Sequence, residues 1–207
     1  MEQIEQFIPQ SSPFIVGVVS DTHIPDRVGE LHPALLAELE DQHVQLILHA
    51  GDIAVKSVLS TLATIAPVRA VTGNRDFLLS QDLPMHYEME IYGARVILSH
   101  GHLGTRLYWQ DKFSYITRGY VLERYRNRFD HLFKHAKVIV FGHTHHIENQ
   151  WIDGRLYFNP GSVSHGDSFF PSPYYGVLKF YEDGRIESSL KPLKGAMIRN
   201  KKWEKTR

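Results

Sequence analysis

Short apolar runs, each closed by small and polar residues, set the rhythm of the first third of the chain. Phe14–Val19 is rich in β-branched residues and reads as a buried strand. Leu31, Leu35, Leu36 and Leu39 then recur at helical spacing, and Pro33 suits a first helical turn. A strand over Gln45–His49, a helix over Val55–Thr64 and a strand over Val68–Val71 follow. Such alternation predicts an α/β arrangement, a sheet with helices packed on it. After Asn74 the pattern changes to hairpins: His86–Ile91 with Arg95–Ser99, Gln150–Ile152 with Arg155–Asn159, and Tyr175–Glu182 with Arg185–Leu190. The last two turn at Asp153-Gly154 and Asp183-Gly184, where Gly tolerates the positive φ of a tight turn. Late hairpins cannot all extend one buried parallel sheet, so two sheets with helices outside both are expected.

The stretch from Leu103 to Ala136 has its own character. Leu122, Tyr125, Phe129, Leu132, Phe133 and Ala136 keep a helical period, behind an aromatic group that includes Tyr108, Trp109, Phe113, Tyr115 and Tyr120. Following directly on His100 and His102, it reads either as a cap over a site or as packing, including a homo-oligomer contact. Residues 1–193 form one expected domain, with 103–136 as that cap or insertion. Residues 194–207 are basic and without periodicity, and read as a frayed tail.

What closes the apolar runs carries the chemistry. In order come Ser20-Asp21-Thr22-His23, His49-Ala50-Gly51-Asp52, Thr72-Gly73-Asn74, Ser99-His100-Gly101-His102 and Gly142-His143-Thr144-His145. Short turns after strands project side chains into the crevice beyond a sheet's carboxyl edge. Five such ends carry Asp21, His23, Asp52, Asn74, His100, His143 and His145 toward one point. Side chains at i and i+2 of an extended chain face the same way, which would aim Asp21 with His23 and His143 with His145. The chain has no Cys, so the donors are nitrogen and oxygen alone, a mixture that suits a pair of divalent first-row metals.

Composition narrows the remainder. Lys plus Arg equals Asp plus Glu at 23 each, which argues against a nucleic-acid or anionic-membrane partner. No apolar run approaches the roughly 20 residues of a membrane helix. The polar Met1–Gln10 start has no secretory core, and the lack of Cys fits a reducing compartment, so a cytoplasmic location is expected.

The five motifs in this order resemble the calcineurin-like metallophosphoesterase superfamily. Gly73-Asn74-Arg75-Asp76 and Asn159-Pro160-Gly161-Ser162 are similar in particular to the small prokaryotic YfcE-type phosphodiesterases. The resemblance runs from about Phe14 to Leu193 and implies a four-layered αββα sandwich with two mixed sheets and a binuclear metal site. It implies that Asp21, His23 and His145 hold one metal, that Asn74, His100 and His143 hold the other, and that Asp52 bridges them. Two divalent cations against two carboxylates leave a formal charge of about +2, attractive to phosphate esters. Cations about 3.5–4 Å apart share a water, acidify it and direct the hydroxide in line at phosphorus. Manganese is the expected metal, with Fe, Zn, Ni or Co suited to the same donors.

A phosphodiesterase acting on a small phosphate ester or nucleotide is therefore expected. The alternatives are a phosphomonoesterase, a nucleotide pyrophosphohydrolase, or a non-catalytic scaffold like the retromer subunit that shares the fold. Arg75 stands where the larger phosphatases of the superfamily have a leaving-group His. Arg stays protonated and stabilises phosphoryl charge instead. His102 is close enough to touch substrate or to orient His100. His49 reads as a buried neighbour, His146 as exposed, and Ser162 as part of a rigid rim with a phosphate contact as the lesser reading.

Overall fold

The computed structural model describes residues 4–9, 11–76, 82–165 and 172–206, backbone alone at 105 and 106. Met1–Gln3, Gln10 and Arg207, parts of the two polar termini, lie outside the described residues. One sheet runs β1 (Glu5–Phe7), β5 (His86–Ile91), β6 (Ala94–Ser99), β7 (Val138–Val140), β9 (Arg155–Asn159) and β8 (Glu148–Ile152). The other runs β11 (Ile186–Pro192), β10 (Tyr174–Phe180), β2 (Phe14–Val19), β3 (Leu46–His49) and β4 (Val68–Ala70). Both are mixed: β2, β3 and β4 are parallel, as are β6, β7 and β9, and hairpin strands flank them antiparallel.

Three apolar layers explain the stacking. Val16, Val18, Leu46, Leu48, Leu98, Val140, Phe158 and Leu178 meet between the two sheets. On the far side of the five-stranded sheet, α1 (Leu35–Asp41) and α2 (Lys56–Leu62) bury Leu35, Leu39, Val58 and Leu62 against Val19, Ile47 and Val177. On the far side of the six-stranded sheet, α4 (Leu122–Leu132) and the residue after it bury Tyr125, Phe129 and Phe133 against Ile97, Ile139 and Tyr157. Each such aromatic or aliphatic side chain contributes about 1.5–3 kcal/mol by leaving water. The result is the four-layered αββα sandwich. At one open edge of the stack, Arg69 on β4 donates to Glu5 on β1 at 2.8 and 2.5 Å and so ties one sheet to the other.

Two expectations change. The segment 194–207 is not a featureless tail: β12 (Ala196–Arg199) pairs with β13 (Lys202–Lys205) around Asn200 and Lys201, both at positive φ. Ile198 and Trp203 pack on the α1/α2 side, and the Trp203 indole donates to the Glu30 carbonyl at 2.9 Å. Four-residue strands are too short to print a period. The aromatic stretch before α4 is also helical, as α3 (Thr105–Arg118). No helix among the described residues is long and apolar enough to cross a membrane.

Candidate metal centre

β2, β3, β4, β6 and β7 end at Val19, His49, Ala70, Ser99 and Val140, and every predicted donor lies in the loop just beyond one of them. The loops are not extended, however. Asp21, His23, Asp52, His143 and His145 have φ of 54°, 50°, 55°, 70° and 60°. The i and i+2 pairs therefore converge through left-handed turns rather than through strand alternation. That conformation costs a non-glycine residue about 1–2 kcal/mol, and it persists because the loops lock one another. Asp21 N–H donates to the Gly51 carbonyl at 3.0 Å, His23 N–H to the Asp52 carbonyl at 3.0 Å, and His143 N–H to Asp21 Oδ2 at 3.1 Å.

The donor atoms fall into two groups that meet at Asp52. In the first, His145 Nε2 lies 3.3 Å from Asp21 Oδ1 and 3.2 Å from His23 Nε2. In the second, Asn74 Oδ1 lies 3.1 Å from His100 Nε2 and 2.9 Å from His143 Nδ1. Asp52 Oδ2 stands 3.7 Å from His23 Nε2, while Asp52 Oδ1 stands 3.4 Å from His100 Nε2. One carboxylate thus turns one oxygen to each group. Asp21, His23 and His145 place ligand atoms within reach of one cation, as do Asp21, Asp52 and His100.

Residues outside the predicted donor set hold these donors. Asp76, the last residue of Gly73-Asn74-Arg75-Asp76, accepts Ile53 N–H at 2.8 Å, Ala54 N–H at 2.7 Å and Gly73 N–H at 2.7 Å. It therefore ties the Asp52 loop to the Asn74 loop. Ser20 Oγ donates to Asp21 Oδ2 at 2.6 Å. Asn159 donates to the Gly142 carbonyl at 3.0 Å and to Thr144 Oγ1 at 3.0 Å, bracketing His143. Ser162 Oγ donates to the Asp21 carbonyl at 2.8 Å from a buried position, which assigns it to this scaffold and not to phosphate. Two glycines permit the approach: a Cβ on Gly73 would lie 2.2 Å from Asp52 Oδ1, and one on Gly142 2.0 Å from Ser20 Oγ. The Gly-Asn-x-Asp spacing was the available signal for Asp76.

The protonation states of Asp21, His23 and His143 suit cation binding, while Asp52 and His100 favour a proton that a cation would displace. Burial alone would raise Asp21, but His145, His100 and His23 outweigh it and hold its carboxyl well below the ordinary range. Asp52 is pushed up to about 6 by burial, opposed by His100 and reinforced by Asp21. Burial lowers His23 to about 3 and drives His143 well below its ordinary value, so both are neutral and carry a free lone pair. Burial also opposes a charge on His100, yet Asp52 and Asp21 bring its pKa above the ordinary value. The fit to a metal is carried by Asp21 Oδ1, which is buried and, among the described residues, accepts no well-aligned hydrogen bond, while the imidazole nitrogens of His145 and His23 face it at 3.3 and 3.7 Å. A cation among these acceptors satisfies all three at once.

Around the donors lies a cavity of about 680 Å³, lined by His23, Asp52, Asn74, His143 and His145 on the metal side. That is ample for a ligand larger than phosphate. Arg27, Arg75 and His165 form one flank, and Tyr108, Lys112 and Tyr115 of α3 form another. The aromatic stretch thus divides largely by helix: α3 walls the cavity, with Tyr108 5.8 Å from His143 between ring centroids, whereas α4 packs on the sheet and reaches the cavity through Tyr125. Asp111 of α3 is locked to Arg128 of α4 by two bonds of 2.9 and 2.8 Å. Arg75 uses its backbone N–H to hold Asp52 Oδ1 at 2.8 Å, and its guanidinium pairs with Asp26 at 3.1 Å.

The other histidines separate. His102 is 7% exposed, packs on His100 at 5.3 Å, is lowered to about 4 by burial, and does not line the cavity. His49 is fully buried and accepts Gly51 N–H at 3.2 Å, as a neighbour of the Asp52 loop. His146, read as exposed, is instead buried under the Tyr120 ring, stacked at 4.3 Å, because the chain between α3 and α4 folds back over it.

Donors at the strand ends of a two-sheet sandwich, with one carboxylate between two groups, define a metal-dependent hydrolase type of site. Residues 14–183 match the family model of the calcineurin-like phosphoesterase superfamily domain, and the chain belongs to that superfamily. A probable metallophosphoesterase of Methanothermobacter thermautotrophicus is 36% identical over 148 residues, 72% of this chain and 76% of that protein. Another, of Methanocaldococcus jannaschii, is 31% identical over 86% of this chain and 81% of that protein. Among solved structures, Vps29 of Entamoeba histolytica complexed with zinc superposes with a TM-score of 0.62 at 22% identity, covering 86% of this chain and 98% of that one. At that identity the likeness shows the fold alone.

Proposed function

We propose that this protein is a metal-dependent phosphodiesterase with a binuclear centre. The observation that carries the reading is Asp52, whose two carboxylate oxygens face two separate donor groups. In this reading Asp21, His23 and His145 hold one cation, Asn74, His100 and His143 the other, and Asp52 spans both. Manganese is the proposed metal, and Fe, Zn, Ni and Co suit the same nitrogen and oxygen donors. Such a metal pair, when bound, acidifies water and offsets charge on phosphoryl oxygens.

The chain's own residues do the remaining work. Asn74 and the neutral imidazoles keep the centre net positive, so an anionic diester is attracted. The cavity supplies room for both of its arms. Arg75 keeps its proton at the wall, where its guanidinium is shared with Asp26, so a contact with phosphoryl oxygens competes with that pair and proton delivery is ruled out. His102, behind the lining, orients His100 by packing. The substrate is a small phosphate ester or a nucleotide.

The Vps29 likeness favours a second reading, a scaffold on the same fold. The two are separated by turnover. Asp52→Ala should abolish hydrolysis of bis(p-nitrophenyl) phosphate and lower bound metal below two per chain, because both ions lose a shared ligand. Natural protein inactive on a panel of diesters and monoesters, despite full metal loading, would leave the scaffold reading in place.

A further inference from the structure

Among the described residues two cations line the cavity without an ion pair: Lys112, over the Tyr108 and Trp109 rings, and Arg27, beside the first donor group. Of the two arginines that line it, Arg75 is neutralised by Asp26 at 3.1 Å. Arg27 forms no ion pair among the described residues, where its guanidinium meets the imidazole of His165. His165 in turn sits edge-on to His145 with ring centroids 5.0 Å apart, and Arg27 N–H caps the His23 carbonyl at 2.9 Å. The pair is therefore fixed directly beside the first donor group. A reacting phosphoryl group held at the centre would not by itself require a guanidinium there. An unpaired guanidinium fork at a cavity wall is suited to bidentate contact with a phosphate.

The wall formed by α3 differs. Tyr108 lies against His143, and the Lys112 ammonium stands 5.8 Å over the Tyr108 ring. That wall offers ring faces to a planar group or a sugar. We propose that Arg27 and His165 form an anion subsite beside the metal centre, so that the preferred substrates are phosphodiesters carrying a second phosphate on one arm and a planar ring on the other, the combination that nucleotides supply. This rests on the phosphodiesterase reading above. The step is R–O–PO₂⁻–O–R′ plus water giving R–O–PO₃²⁻, HO–R′ and one released proton. The water oxygen bonds to phosphorus, and the bond from phosphorus to the departing oxygen breaks.

The test compares three substrates on manganese-loaded protein: the p-nitrophenyl ester of thymidylate, the same ester with a phosphate on the other sugar hydroxyl, and diadenosine diphosphate. The second and third distinguish a sugar-linked second phosphate from an anhydride-linked one. Arg27→Gln should raise KM about tenfold or more for whichever carries the phosphate into the subsite, and several-fold less for the single-phosphate ester. Arg27→Lys, which keeps the charge, should recover part of the loss. Titration with thymidine bisphosphate against thymidylate should show the same Arg27-dependent difference in affinity without any turnover. Equal effects of Arg27→Gln on all three substrates, with no difference in bisphosphate binding, overturn the subsite. Arg27-dependent bisphosphate binding without hydrolysis of any ester instead overturns the phosphodiesterase reading and leaves the subsite standing.

Discussion

Asp76 touches no predicted metal, yet the geometry makes it decisive for metal binding. Its two oxygens accept three backbone N–H groups, those of Ile53 and Gly73 buried and that of Ala54 partly so, at 2.7–2.8 Å. Ile53 follows Asp52, and Gly73 precedes Asn74, so one carboxylate sets the spacing of two donors that belong to different strand ends. The side chain is 1% exposed, so no solvent can replace it without the loops opening. Hydrogen bonds to a charged acceptor contribute about 1.5–3 kcal/mol each, and an abandoned buried donor costs a similar amount. Asp76→Asn keeps one oxygen, enough for Ile53 and Ala54, but turns an amide N–H toward the Gly73 N–H. The expected loss is about 2–4 kcal/mol. Asp76→Ala abandons all three donors, and a loss of about 4–9 kcal/mol rivals the whole stability of an ordinary domain.

The assay is urea unfolding in chelator, so that metal binding does not contribute to the measured stability, followed by metal content after manganese loading. Asp76→Asn should unfold at clearly lower urea and hold fewer than two metals per chain, with diester hydrolysis falling in step. A variant within about 0.5 kcal/mol of the natural protein that still loads two metals would refute the reasoning.

Two further predictions follow from the α3 wall and the sheet edge. Tyr108→Ala should raise KM for nucleotide esters more than for bis(p-nitrophenyl) phosphate, because its ring faces the cavity, whereas Trp109→Ala, 64% exposed, should change neither; parallel effects from both variants would contradict a substrate-facing wall. The Glu5 carboxyl is held below its ordinary 4.5 chiefly by hydrogen bonding to Arg69, so its contribution is complete above that value and fades as pH falls through the lower folded value. Glu5→Gln should therefore cost about 1 kcal/mol near neutrality and less in strong acid, read by thermal unfolding across pH; a cost that grows on acidification would reverse the assigned sign.

The candidate site was legible because buried strands print apolar runs, and each run stops where the chain must turn polar. Asp21, Asp52, Asn74, His100 and His143 each fall just past such a stop, and the structure brings all of them together. The backbone that aims them was not legible. Alternation predicts extended pairs, but the left-handed φ of Asp21, His23, His143 and His145 depends on partners far away in sequence, such as the Gly51 carbonyl. The burial of His146 was hidden for the same reason, since Tyr120 covers it only after α3 and α4 fold. The C-terminal hairpin did leave a trace: Asn200 suits a turn of positive φ, and Ile198 and Trp203 are opposite one another across the strands. Basic neighbours at Lys201, Lys202 and Lys205 masked that trace as a tail.

The central claim is that hydrolysis needs two metals held by this one set of donors. It is tested most directly by titrating Mn²⁺ into chelated protein while following hydrolysis of bis(p-nitrophenyl) phosphate. The account predicts no turnover in the metal-free protein and activity that rises to a plateau at two equivalents per chain. Turnover that persists without metal, or that is complete at one equivalent, would contradict it.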